Sequence, residues 1–207
     1  MRKIVAFILI LLFCQLPTAK SQKLPSYLIV TPNNEGIRQW ADTLARFRNE
    51  QGILTEVISL NEIGENSPIV LRNYFKQLYD DNNQLSAILL FGDYDKDATK
   101  GISSFYLNNH PENNVSYLAD NKIVDFNNDD LPEICIARLP TANAEQAELM
   151  VKKTMRYETN PSTNPDYYHR PVTAMGFEES RWFQLCSEVI AGYFESIGKE
   201  PTRLNAI

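Results

Sequence analysis

Three short runs of almost unbroken apolar residues constrain this chain most: Tyr27 to Val30, Ile53 to Leu60 and Ala87 to Phe91. Each has the length of a strand, and each lacks the in–out alternation of a sheet with one wet face. Such strands need cover on both faces, which is the condition of a parallel sheet with helices above and below. The intervening segments supply those helices. Ile37, Trp40, Ala41, Leu44 and Phe47 recur at helical spacing before a stop at Gly52. Ser67-Pro68 then reads as an N-cap with a proline at the first helical position, followed by Val70, Leu71, Tyr74, Phe75 and Leu78 on one side. The expected class is α/β with a mostly parallel sheet.

The alternation pauses after Gly92-Asp93. Residues 94 to 131 are polar and rich in Asn and Asp, with short aromatic pieces at Phe105-Tyr106 and Val115 to Leu118 that suggest a small hairpin or loop excursion at the carboxyl end of the sheet. A strand resumes over Ile134 to Leu139, and Asn143 with Gln146 makes a capping box for a helix running to about Glu158. Asn160 to Pro171 holds three prolines and reads as a linker. Beyond it come a strand at Val172 to Gly176 and a helix bearing Trp182, Leu185, Cys186, Val189, Ile190, Tyr193, Phe194 and Ile197, stopped by Gly198. Leu204 to Ile207 reads as the start of one more strand.

The first 21 residues read as a targeting segment. Arg2 and Lys3 precede the ten apolar residues Ile4 to Phe13, and Pro17 to Ser21 supplies a small-residue site, so cleavage is expected after Ser21. The run is too short to span a bilayer, which takes about 20 residues. A lipid anchor at Cys14 is disfavoured by the bulky Phe13 before it. Secretion or a place in the cell envelope follows, and no other stretch suits a membrane span. The whole chain carries 20 Lys+Arg against 26 Asp+Glu. Without Arg2, Lys3 and Lys20 the balance is 17 against 26, or −9. So acidic a surface repels a phosphate backbone, which excludes generic nucleic-acid binding.

Candidate chemistry is sparse. Beyond the targeting segment the cysteines are Cys135, in the apolar run Ile134 to Ala137, and Cys186, on the last helical stripe; both read as small buried hydrophobes. His110 falls in a polar loop and His169 in the linker, so no Cys–His nucleophile pair is evident. There is no CxxC, HExxH, GxSxG or P-loop pattern. Asp125, Asn127 and Asp129 set oxygen donors at alternate positions, as a calcium loop does. An EF-hand fails there, because Asp130 replaces the glycine and Ile136 the bidentate glutamate, and a solvated turn is the competing reading. Asp93, Asp95 and Asp97, interrupted by Lys96, read as a solvated loop.

Five stretches in order resemble the gingipain-like cysteine peptidases: Tyr27 to Pro32, Gln51 to Val57, Ala87 to Asp93, Asp130 to Pro140, and Lys153 to Glu158. The resemblance implies a caspase-like three-layer α/β sandwich of two subdomains. Residues 22–160 would form the first, 161–171 the linker, and 172–207 the start of the second, catalytic subdomain, left incomplete. It implies peptide-bond hydrolysis by a Cys/His dyad acting on protein or peptide substrates. No cofactor is expected to be required, and calcium at Asp125, Asn127 and Asp129 is the one candidate structural ion. In the family the histidine lies in a Gly-His-Gly segment and the cysteine in a later apolar strand. Neither segment is present, so no catalytic residue is assigned in this chain, and the dyad is expected downstream. Arginine-specific members carry a pocket acid where this chain reads Arg181-Trp182-Phe183, with Glu178 and Glu179 upstream, so arginine specificity is not implied. The alternative is a non-catalytic secreted binding or scaffold module derived from the family. On either reading an incomplete second subdomain would leave the Trp182 to Phe194 helix face underpacked.

Overall fold

A computed structural model describes residues 24–82, 84–108, 116–176 and 180–205 of the chain. It divides into two compact units, Met1–Ala147 and Glu148–Ile207. In the first, β1 (Tyr27–Thr31), α1 (Glu35–Glu50), β2 (Thr55–Ser59), α2 (Leu60–Ile63), α3 (Pro68–Asp81) and β3 (Ala87–Phe91) follow one another. An antiparallel pair, β4 (Phe105–Leu107) and β5 (Tyr117–Ala119), precedes a 3₁₀ turn at Asp120–Ile123 and then β6 (Cys135–Leu139). The four long strands form one parallel sheet in the order β2-β1-β3-β6. Ile29 stands opposite Val57 on one side and Leu89 on the other, and Leu89 in turn stands opposite Ala137.

Both faces are covered, as the apolar strands require. Leu28, Val30, Ile58, Ile88 and Leu90 cluster with Leu71 and Phe75 of α3. Ile29, Leu89 and Phe91 alternate to the opposite face, where α1 buries Ile37, Ala41, Leu44 and Ala45. Asn34 caps α1 by accepting from the Ile37 N–H at 3.2 Å, and Gly52 leaves it at φ 84°. The strand expected to reach Leu60 ends at Ser59, because Ser59 opens α2. Its N–H and Oγ both donate to Glu62 Oε2, at 2.7 and 2.8 Å. Arg38 Nη1 joins them at 2.7 Å. That hydrogen bond, with those from Ser59, holds the Glu62 carboxyl down at about 2.

One expectation is corrected here. Cys135 is exposed rather than buried: it opens β6, which is the edge strand of the sheet and also exposes Ala137. The segment read as a bare linker contains a helix, α5 (Pro165–His169), entered through Asn164, whose side chain accepts from the Asp166 N–H at 3.0 Å, with Pro165 at the first helical position. The division between units falls earlier, within α4 (Ala144–Thr159).

The second unit holds α5, β7 (Val172–Met175), α6 (Arg181–Ser196) and β8 (Thr202–Asn205). Strands β7 and β8 pair in parallel around α6, a single βαβ turn. The apolar stripe of α6 is only partly covered. The helix buries Ser187 and Ala191 and leaves Cys186 half-buried, while Trp182, Leu185, Val189 and Tyr193 stay exposed. Among the described residues no helix is long and apolar enough to cross a membrane.

Candidate functional site

Ligands of open α/β sheets gather beyond the carboxyl ends of the strands. Here that end is occupied by the segments following β1, β3 and β6, packed closely enough to dictate glycines. A Cβ on Gly101 would stand 2.4 Å from the Asp93 carbonyl oxygen, and one on Gly92 would stand 3.0 Å from Pro32 Cδ. The Asp93 N–H donates to Thr141 O at 3.0 Å, and its carbonyl accepts from the Ile102 N–H at 2.8 Å. Asn66 Nδ2 donates to Asp95 O at 2.9 Å, and its Oδ1 accepts from the Ser103 N–H at 2.8 Å. The acidic residues Asp93, Asp95 and Asp97 are engaged in this loop: each accepts from a backbone N–H nearby, and Asp97 also pairs with Lys100.

Arg138 on β6 is the hub. Its Nε and Nη2 take the two carboxylate oxygens of Asp120 at 2.8 Å each. Nη1 reaches the carbonyls of Gly92, Asp93 and Ile102 at 3.0 to 3.1 Å. A planar fork with five donors can do this and an ammonium cannot. Burial pushes the Asp120 carboxyl up, but the two hydrogen bonds from Arg138 and its charge outweigh it and hold the group below its ordinary range. The sequence gives Arg138 as part of a motif string without indicating this role; its partners lie 18 to 46 residues away.

The acidic loop expected to suit calcium is built against α3. Arg72 donates to Lys122 O from Nε at 2.8 Å and to Asn128 Oδ1 from Nη1 at 2.8 Å, and its guanidinium lies 4.6 Å over the Phe105 ring. Asn128 and Asp130 adopt left-handed backbones at φ 62° and 74°, so Asp130 makes the turn that the missing glycine would make. Asp125, Asp129 and Glu133 bring one carboxylate oxygen each within 4.8 Å of one another. Asn127 sits between them, its Oδ1 accepting from the Asp129 N–H at 2.9 Å. Glu133 is the member that alternate-position reading missed. Lys122 Nζ already rests on Asp125 Oδ2 at 2.8 Å and also contacts Asp130. The Lys122 hydrogen bond lowers the Asp125 carboxyl, and the Asp125 hydrogen bond raises the Lys122 ammonium.

No nucleophile is assembled among the described residues. No hydrogen bond there joins either cysteine to a histidine: Cys135 opens β6 in the first unit, while Cys186 lies on α6 and His169 ends α5 in the second. The expectations for Met1 to Ser21, His110, Glu178 and Glu179 lie outside the described residues.

The family model of peptidase family C25 matches residues 20–200. Two solved structures share the fold at a TM-score of 0.66. One is a complex of the pro- and mature domains of RgpB from Porphyromonas gingivalis, at 18% identity over 87% of this chain and 42% of that one. The other is described as the structure of a protease, at 15% identity over 89% of this chain and 40% of that one. The chain thus spans about two fifths of the length of each. No curated protein matches it.

The Asp120–Arg138 pair yields a pH signature. Asp120 is depressed in the folded state, so its contribution is complete above its unfolded value of about 3.9 and is lost as pH falls through the lower folded value. Arg138→Met should cost about 2 kcal/mol in urea unfolding at pH 7, because a half-buried carboxylate loses its partner. The gap to the native chain should narrow by pH 3; a gap unchanged by pH would contradict the assignment.

Proposed function

This chain belongs to peptidase family C25, and from that premise we propose that it is the leading portion of a secreted gingipain-like cysteine endopeptidase domain. The caspase-like α/β fold shared with the two solved structures supports the reading. The observation that carries it is the family match along residues 20–200, a span that contains the five ordered motifs. In this reading residues 22–160 form the supporting subdomain and residues from 172 begin the catalytic one. The dyad comes from Gly-His-Gly and cysteine segments beyond Ile207. There a histidine takes the thiol proton, the thiolate attacks the peptide carbonyl carbon, the amine leaves with a proton from the imidazolium, and water releases the acyl group. The arrangement at Asp93 and Arg138 is a framework holding loop ends, with every acid engaged, and it gives no alternative catalytic centre. Export through the Met1 to Ser21 segment and protein or peptide substrates belong to the same proposal.

The full chain, assayed against a broad peptide library under reducing conditions, should show no turnover. Turnover abolished both by a thiol alkylator and by Cys135→Ala or Cys186→Ala would overturn the placement of the dyad.

We also propose calcium at Asp125, Asn127 and Asp129, with Glu133 added. What supports it is the convergence of three carboxylates, one of which, Asp125, already accepts from the Lys122 ammonium. The ion would displace Lys122 Nζ. Millimolar calcium should raise the thermal midpoint of the native chain and leave Asp129→Ala unmoved, since only a ligand of the folded state stabilises it. No shift in the native chain, or an equal shift in both, removes the proposal.

A further inference from the structure

β2 lies at one end of the sheet order, so one of its edges has no strand beside it. The Tyr27 N–H donates to Leu54 O at 3.1 Å, and Thr31 Oγ1 donates to Ile58 O at 3.4 Å. In a parallel ladder alternate residues bond to the same neighbour, so Leu54, Glu56 and Ile58 turn their backbone groups toward β1. Thr55, Val57 and Ser59 turn theirs outward. A bare row of this kind is a template on which another chain can pair.

The row is not bare. Asn49, next to the last residue of α1, takes both backbone groups of Thr55. Its Oδ1 accepts from the Thr55 N–H at 2.9 Å, and its Nδ2 donates to Thr55 O at 3.0 Å. A residue of a neighbouring strand would make the same kind of paired bonds. Nδ2 also donates to Ala45 O at 2.9 Å, so an exposed side chain is fixed against its own helix. Arg38 Nη2 reaches Val57 O at 3.4 Å. The Ser59 N–H goes to Glu62 Oε2, which Arg38 Nη1 also holds. Arg38 and Asn49 stand about three helical turns apart, on one flank of α1. Asn49 thus meets the first residue of β2, Arg38 the third and Glu62 the last.

The other end of the sheet lacks such cover. The Cys135 N–H donates to Ser86 O at 3.1 Å, so Ile136 and Arg138 of β6 turn their backbone groups outward. Among the described residues no side chain bonds to those groups. Side-chain cover of a strand edge is therefore particular to β2.

We propose that Asn49, Arg38 and Glu62 form a guard that closes the β2 edge to strand addition. The partner it excludes is a second copy of this chain, paired antiparallel through its own β2. Two copies meeting at this edge across a two-fold axis oppose the same five residues, Thr55–Ser59, so one unguarded surface suffices for a dimer. Asn49 matters most, because it alone satisfies a donor and an acceptor together. The competing role for Asn49 is a staple of the short turn from α1 through Gly52 into β2. Both roles predict lost stability when Asn49 is removed, and only the guard predicts association. The guard does not depend on the peptidase reading.

The test is sedimentation velocity of the full chain over a range of concentrations. Asn49→Ala should self-associate at least about tenfold more tightly than the native chain, because each copy gains an unpaired donor and acceptor at Thr55. Adding Val57→Pro removes an N–H on the outward side, where an edge strand tolerates proline, and should return association to the native level. A lower thermal midpoint with association unchanged would make Asn49 a turn staple and overturn the guard. Association that Val57→Pro does not reverse would arise at another surface and would overturn it equally. If Asn49→Ala does not fold, amide exchange of the native chain decides. The Thr55 N–H should exchange at least about tenfold more slowly than the Val57 N–H, which has no partner among the described residues. Equal rates would overturn the guard.

Discussion

A parallel strand is stable only when both of its edges are hydrogen-bonded and both of its faces are dry. Much else in this structure follows from how far each strand meets that condition. β1 and β3 meet it completely: each has two parallel neighbours, and Leu28, Ile29, Val30, Ile88 and Leu90 are essentially inaccessible. β6 meets it on one edge, which is why an apolar sequence there leaves Cys135 and Ala137 in contact with solvent. β7 and β8 have one neighbour each, and the helix between them leaves Trp182, Leu185, Val189 and Tyr193 exposed.

Closing the carboxyl end of the first sheet is a separate problem, solved with charge and backbone rather than with apolar area. Arg138 turns the end of β6 toward three carbonyls and one carboxylate, and Asn66 holds the other side of the same loop. The acidic surplus of the chain is partly absorbed in such places: Asp120 by Arg138, Asp125 by Lys122, Glu62 by Arg38. The result is a platform whose loop ends are held by side-chain to main-chain hydrogen bonds.

Most of the layer structure was legible in the sequence because it rests on local patterns. The runs at Tyr27, Ile53 and Ala87 gave strands, and the 3.6-residue spacing of Ile37 to Phe47 gave α1, since apolar periodicity reports burial directly. Legibility failed where burial depends on distant partners. Cys135 has the same apolar neighbours as a core residue, and only the sheet order shows that it lies at an edge. Asp125 and Asp129 were visible by their spacing, but Glu133 joins them through a turn made by two non-glycine residues in left-handed conformation, which no period announces. Arg138 was invisible as a hub because three of its bonds go to main-chain carbonyls, which carry no sequence mark, and the others to an acid 18 residues away. In the 160–171 segment the prolines drew attention away from Asn164-Pro165, which starts a short helix.

The central claim is that edge and face satisfaction, and not apolar content, ranks the stability of these strands. Amide hydrogen exchange on the full chain at neutral pH tests it most directly, because exchange reports local opening strand by strand. Ile29, Val30, Leu89 and Leu90 should be the slowest amides, β6 intermediate, and β7, β8 and α6 the fastest of the regular elements, by about a hundredfold or more relative to β1. Protection of β7 and β8 equal to that of β1 and β3 would contradict the account.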